Sequence, residues 1–359
     1  MKPLADELEL ARFYTKDLAF EGLTDKQMNA IMDRGRALHK WSKSHPNTHN
    51  LINVVVLVFL GIADFLTLLV LPLSLLHPAD NIAWILLAGV AVGSLHSWII
   101  YSLGIFSLHE AAAHKIVFIG RGPVTRTANF IAGHLCRISG GEPEFYAAHH
   151  MAHHAKFGTE EDGEFLNFIT PWRYWATFLP LAALLNLSDF VIHRPARFTK
   201  GRMISVVAAS IYHGVYGYVM YRRFGLLFTI TVFALLPHVG FYLDRLRQFM
   251  EHNLMPLDNK NGSRSFGLGF WGLLVGGGPW GSPCHWEHHL VASLPWYQQL
   301  ALHRYVKTIL TPRQREQFFI EPVIGFPKLW WRLVRESNWL VRNRDAGAAQ
   351  SSFSHSPGE

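Results

Sequence analysis

The chain has 359 residues, half of them hydrophobic and only 16% charged, against about 25% in an ordinary soluble domain. The deficit falls in a few long apolar runs, which argues against one large soluble core and for an integral membrane protein. The net charge of +7 suits loops beside an anionic lipid surface rather than a nucleic-acid partner, and two cysteines, Cys136 and Cys284, build no disulfide framework.

Met1–Asn50 is polar and charged, unlike a signal peptide. Thr24-Asp25-Lys26-Gln27 reads as a capping box, in which the Thr24 and Gln27 side chains satisfy free amides at a helix start. The helix is expected to run to about Trp41, with Met28, Ile31, Met32 and Leu38 on an apolar face that lies on the membrane surface. The first predicted span is 51–76, long enough for a hydrocarbon core that needs about 20 residues. Asp64 is its single charge, expected at a helix–helix contact or protonated. After a short turn at His77–Asn81 the second span, 82–106, carries His96, read as a hydrogen-bonded core residue.

Ser107–Arg202 is a mostly polar loop with a semi-apolar stretch at Trp172–Leu187, expected to be re-entrant or interfacial. Spans three and four, about 205–220 and 224–243, are joined by Tyr221-Arg222-Arg223 as a tight hairpin, and Asp244–His252 is compatible with continued helix. Phe266–Trp280 is glycine-rich and expected to be a packed loop. Phe326–Val341 mixes Trp330, Trp331 and Trp339 with Lys328, Arg332 and Arg335, the pattern of an interfacial helix. The expected organisation is an N-terminal amphipathic region 1–50, a membrane domain 51–325, an interfacial helix 326–344 and a disordered tail 345–359.

Charge sets the topology. Of 33 Lys and Arg, 8 precede Leu51, 10 lie between Ser107 and Arg202, and 13 follow Leu243; only Arg222 and Arg223 fall elsewhere. By the positive-inside rule the termini and the long loop are cytoplasmic. The fold class is therefore all-α, with four transmembrane helices in two hairpins. The assignment uses no information about histidine, yet it brings every histidine cluster to one face.

Those clusters are the chemistry of the chain, which has 21 histidines. His109 and His114 come first, then His149-His150-Met151-Ala152-His153-His154, then Cys284-His285-Trp286-Glu287-His288-His289. Residues three and four apart share a helix face, so His150, His153 and His154 can converge, as can His285, His288 and His289. Neutral imidazole suits iron, zinc, copper or nickel. With His109 and His114 the set exceeds what one tetrahedral zinc takes and fits two metals close together. The alternative, a histidine-rich surface, does not account for three clusters on one side. Cys284 is read as a small packing residue rather than a ligand.

His109 and His114 are five apart, about 140° on an ideal α-helix, so either they serve different metals or the helix ends between them. In the second cluster His149/His153 and His150/His154 are both i, i+4 pairs. The third has only HxxHH spacing, which assigns His150, His153 and His154 as ligands and leaves His149 as a supporting or surface residue. Carboxylates are expected behind the imidazoles, accepting their free N–H groups. Glu110, Glu161, Asp162, Glu164, Glu251 and Glu287 are close in sequence.

His109-Glu-Ala-Ala-Ala-His114, His150-Met-Ala-His153-His154 and His285-Trp-Glu-His288-His289 resemble the three histidine boxes of membrane fatty-acid desaturases. Leu290-Val-Ala-Ser-Leu-Pro295-Trp-Tyr297 resembles the run that follows the third box in that family, with Val291-Ala292 in place of its first Phe-Pro. The resemblance spans about Leu51 to Tyr297. It implies a cytoplasmic helical cap over the four spans that holds a di-iron centre, with two iron ions, molecular oxygen as co-substrate and C–H activation on a lipid acyl chain or acyl carrier. It also implies a further ligand at His252, Asp162 as a partner of the second box, and Gln248 as the holder of a metal-bound water. His45-Pro46 lacks the glycine pair of a cytochrome-b5 haem motif, so electrons are expected from a separate ferredoxin or cytochrome b5 type protein. The membrane is expected to be a bacterial inner membrane or endoplasmic reticulum.

Two rival readings carry different chemistry. Hydroxylation or ketolation of a lipid, sterol or carotenoid would use the same centre. Metal transport would need ligands lining a path through the spans; only Asp64, His96, His213 and His238 qualify, and they form no pair at helical spacing.

Overall fold

The computed structural model describes residues 20–77, 81–159, 161–162, 199–320 and 325–336. The Trp172–Leu187 stretch, Glu164, Trp339 and the tail 345–359 lie outside them. The described residues form helices and contain no strand, only one parallel bridge between Ser265 and Phe319.

Helix α1 (Asp25–Ser44) starts at the expected capping box: the Gln27 N–H donates to Thr24 Oγ1 at 3.2 Å and the Thr24 N–H to Gln27 Oε1 at 3.0 Å. Its apolar face is not spent on lipid. Ile31 and Leu38 are buried against Trp286, Leu290, Leu302 and Phe318, within the same core that holds the third histidine box. A protein core offers this short stripe an apolar surface, so α1 packs on the elements around the third box.

Four helices are long and apolar enough to cross a membrane: α2 (Pro46–Leu75), α3 (Ile82–Ala113), α4 (Lys200–Phe224) and α5 (Leu226–His252). Each extends beyond its hydropathic core, because backbone hydrogen bonding continues where the lipid ends. Pro46 opens α2, where a missing N–H costs nothing. Within α2, Pro72 has no N–H for the ladder, and a π turn at Leu66–Val70 precedes it. Asn81 and Thr199 cap α3 and α4 by accepting the N–H of Trp84 at 2.9 Å and of Arg202 at 3.0 Å. The hairpin turn is not Tyr221–Arg223, which remain helical, but Gly225, at φ +85°, a conformation that favours glycine. As expected, α5 runs through Asp244–His252.

The most extensive helix interface joins α3 to α5. Gly89, Gly93 and Ser97 recur every four residues on α3, the small-residue spacing that lets membrane helices approach closely. A Cβ on Gly93 would lie 2.7 Å from the Val232 carbonyl oxygen. Ser97 Oγ accepts the Gly240 N–H at 3.0 Å. Exposed Val55, Val58, Ile62, Leu87, Val207, Ile211, Val215 and Ile230 face outward from the bundle, where lipid rather than water accounts for them.

One polar cluster sits inside this bundle. Asp64 of α2 meets His96 of α3, Oδ1 to Nδ1 at 2.6 Å, and its other oxygen accepts the Tyr212 hydroxyl of α4. His213 donates from Nε2 to the Ile138 carbonyl at 2.9 Å. Asp64 thus lies at a helix contact and His96 is a hydrogen-bonded core residue, as expected. The intramembrane polar groups do pair, but across helices rather than along one.

The remaining elements among the described residues lie outside the four spans: α6 (Pro123–His134), a 3-10 turn (Leu135–Ser139), α7 (Pro143–Lys156), α8 (Phe270–Val275), α9 (His285–Leu290), α10 (Trp296–Ile309), α11 (Pro312–Phe318) and α12 over 325–336. Except for α8, Phe266–Trp280 is the packed, glycine-rich loop the sequence suggests. Helix α12 departs from the interfacial expectation. Phe326, Leu333 and Val334 are buried against Phe249, Met250 and Phe266, while Trp331 remains exposed. Its apolar stripe is used on the body, as in α1.

Candidate metal centre

Four segments carry the histidines to one place: the C-terminal end of α3, helix α7, the end of α5 and helix α9. The last turns of α3 are a π-helix, Phe106–Ala113. In a π turn the i→i+5 bond replaces i→i+4, and here the His114 N–H donates to the His109 carbonyl at 3.1 Å. His114 is therefore carried beside His109, their rings 4.9 Å apart and tilted by 57°. The 140° separation of an α-helix does not arise, and both rings lie in one group.

The imidazoles divide into two groups. His109, His114, His150 and His288 have ligand nitrogens mutually within 4.8 Å, as do His153, His252, His285 and His289. His154 joins the first group at its seam with the second: its Nε2 is 3.0 Å from that of His150 and 2.8 Å from that of His288, and its ring is 4.7 Å from His289. Each HxxHH box is split between the groups in the opposite sense. The second box sends its i, i+4 pair His150/His154 to the first group and His153 to the other. The third sends His285/His289 to the second group and His288 to the first.

Hydrogen bonds on the far side of the rings aim them. Nδ1 of His109 meets Glu110 Oε1 at 2.9 Å, Nδ1 of His153 meets Asp162 Oδ1 at 2.8 Å, and Nδ1 of His252 meets the Gly262 carbonyl at 3.1 Å. An Nδ1–H spent this way leaves the Nε2 lone pair pointing inward. Burial pushes His114 down to about 3, with His150 adding to the effect. Burial and the surrounding imidazoles hold His288 and His289 well below 6.5. Burial thus favours the neutral form of His114, His288 and His289, and the rings of both groups are crowded, with Nε2 atoms 3.0 Å apart for His109/His288, 3.1 Å for His114/His150 and 2.7 Å for His252/His285. A neutral imidazole carries one N–H, so an Nε2–H···Nε2 hydrogen bond satisfies such a contact where one ring is protonated at Nε2, while two bare lone pairs at this distance repel unless a cation lies between them. Nitrogens about 2.1 Å from a shared ion stand about 3 Å apart when at right angles, so the donor set fits a metal in each group.

A family model described as fatty acid desaturase matches residues 98–320. The chain belongs to the fatty acid desaturase family. The match takes in all three histidine boxes and His252, and leaves α1, α2 and the first part of α3 outside. No curated protein matches the chain.

Within this desaturase-family fold the other expected residues fall as follows. Asp162 is placed as the resemblance implies, and its second oxygen accepts the Gly158 N–H at 3.0 Å. His149 is in neither group and stacks on Phe145, ring centroids 5.4 Å apart. The Gln248 amide is spent on its own helix: it donates to Asp244 at 3.0 Å and accepts from Arg245 at 2.8 Å, charged partners one turn from it. Glu287 also faces away from the boxes, accepting from Ser265 and meeting His303 Nδ1 at 2.6 Å; a six-residue helix cannot present positions 285, 288 and 289 inward and 287 with them. Glu251 pairs with Arg247 at 2.6 Å and lies 3.6 Å from His285 Nε2. Glu161 pairs with Lys156. Cys284 is buried beside Glu287 and His303.

Sequence reasoning missed several supports. Gln299 of α10 approaches His288 Nδ1 at 3.5 Å, the Gly262 carbonyl orients His252, and the Trp296 N–H donates to Glu110 Oε2 at 3.3 Å. Gln299 and Gly262 lie outside the boxes and Trp296 is far along the chain from Glu110, and two of the three act through the backbone, so no residue pattern announces them.

Proposed function

We propose that the chain is an oxygen-dependent di-iron desaturase that introduces a double bond into the acyl chain of a membrane lipid or fatty-acyl thioester. The observation that carries this reading is the division of nine imidazoles into two adjoining groups, each with inward Nε2 atoms. The first group, His109, His114, His150, His154 and His288, would hold one iron, and the second, His153, His252, His285 and His289, the other. When bound, the irons supply the oxygen chemistry that removes hydrogen from an unactivated methylene. The chain's own residues keep the imidazoles neutral by burial and orient them through Glu110, Asp162 and the Gly262 carbonyl. They also exclude water, since most of these rings are buried.

The positive-inside distribution supports a cytoplasmic position for the boxes. Electrons would come from a separate ferredoxin or cytochrome b5 type protein. Exposed Lys and Arg on the cap offer that donor a complementary surface if it is acidic. Charge reversal on that surface is expected to slow turnover and weaken its salt dependence.

The test is expression in a host with a simple lipid profile, followed by mass spectrometry of acyl chains. Desaturation appears as loss of two hydrogens; gain of an oxygen atom would replace this reading with hydroxylation. A His153→Ala control is expected to abolish the product.

A further inference from the structure

Among the described residues, two that are not glycine have a left-handed backbone, Lys115 at φ +56° and Leu254 at φ +57°. Such a conformation is strained for L-residues and persists where surroundings impose it. Both follow a histidine of the candidate centre: Lys115 comes directly after His114, and Leu254 two residues after His252. Each strained turn is gripped by polar side chains from elsewhere. At Leu254 the grip is Arg264, which donates to the carbonyls of Asn253 at 2.7 Å and Met250 at 3.2 Å.

At Lys115 the grip comes from the first turns of α2. His49 Nε2 is 2.8 Å from the Ile116 carbonyl and 3.0 Å from that of Val117. Asn53 Nδ2 donates to the Val117 carbonyl at 2.8 Å. Asn50 exchanges two bonds with Ile119, donating from Nδ2 at 3.1 Å and accepting its N–H at 2.9 Å. His49 and Asn53 are buried, and each is held in turn: Tyr297 meets His49 Nδ1 at 2.8 Å, and the Trp296 indole donates to Asn53 Oδ1 at 3.0 Å. The backbone after the first box therefore reverses at Lys115 and is tied to α2 immediately beyond. Without the tie, relaxing Lys115 to a common conformation would swing the end of the π turn and His114 with it.

We propose that His49, Asn50 and Asn53 are positioning residues: they hold the strained turn at Lys115 and thereby keep His114 on the metal of the first group. The proposal rests on the metal-binding reading above. It assigns a site role to α2 residues that lie outside the family match.

The Lys115 side chain is exposed, so substitutions there act through the backbone. The experiment follows release of bound iron from the purified full-length protein in detergent to an excess of chelator. K115V, whose β-branched side chain resists positive φ, is expected to release iron from one group about fivefold faster. K115G, which relieves the strain, is expected to release it no faster than the unsubstituted chain. N53A is expected to release faster, and N53A/K115G to return toward the original rate. A loss of packing at Asn53 would not be repaired by a glycine at 115. Equal release by K115V, K115G and the unsubstituted chain overturns the proposal, as does N53A/K115G releasing as fast as N53A. A chain that holds zinc in place of iron sinks the di-iron reading while the same comparison still decides the clamp. A chain that binds neither ion overturns both.

Discussion

His114 donates its backbone N–H to the carbonyl of His109, 3.1 Å away and five residues back. That one π bond brings two imidazoles into the same group. Their register should then be intolerant of insertion. An alanine added between Ala112 and Ala113 is expected to rotate His114 off the His109 face, releasing the metal of the first group and keeping that of the second. Iron analysis with Mössbauer spectroscopy of the purified variant checks this; full retention of both sites would show that the π turn does not set the register.

The split of the second box across both groups separates its members experimentally. H149A is expected to keep both irons, because His149 stacks on Phe145 outside the groups. H150A and H154A are expected to empty the first group, and H153A the second. Losing the carboxylate behind His153 in D162A is expected to weaken metal binding about 10- to 100-fold, by competition with a chelator of known affinity. Equal loss on H149A and H150A would mean that the other i, i+4 pair is in use.

The boxes and spans were legible because their signals are local. Apolar runs of about 20 residues have one meaning, and HxxHH fixes which rings share a helix face. What escaped was conformation and long-range contact. Five-residue spacing at His109 and His114 left two readings open, and the structure takes neither: a π-helix that no residue type demands runs on to Ala113 and carries both rings into one group. Glu287 sits inside a box yet faces Ser265 and His303, because the direction of one residue on a short helix depends on what packs around it. Helices α1 and α12 were assigned to the lipid surface because an amphipathic stripe states that a helix has an apolar partner, without saying which one.

Asp64 and His96 pose a separate stability question. Both side chains are almost fully buried in the bundle, 2.6 Å apart. Removing one partner of such a pair costs about 3 to 5 kcal/mol, whereas replacing both with apolar residues is often neutral. D64A is therefore expected to lower the thermal midpoint in detergent markedly, and D64L/H96L to recover most of the loss. A double variant as unstable as D64A would show that the Tyr212 hydroxyl, left without its acceptor, dominates.

Acid should act on the metal-free centre in a defined direction. His114 titrates at about 3 in the folded chain, from an ordinary value of 6.5, first because of burial and then because of His150; His288 and His289 are depressed as well. Below about 6.5 the unfolded chain takes up protons that the folded chain refuses. Stability is thus fully present above that pH and declines as pH falls toward the folded values. Thermal midpoints of chelator-treated protein are expected to fall steadily over this window, and H114Q to flatten the slope. With metal bound the decline should begin at lower pH, because protons must first displace the ion. A metal-free chain whose midpoint is constant from neutral pH to pH ~4 would mean that the imidazoles open to solvent once the ions leave.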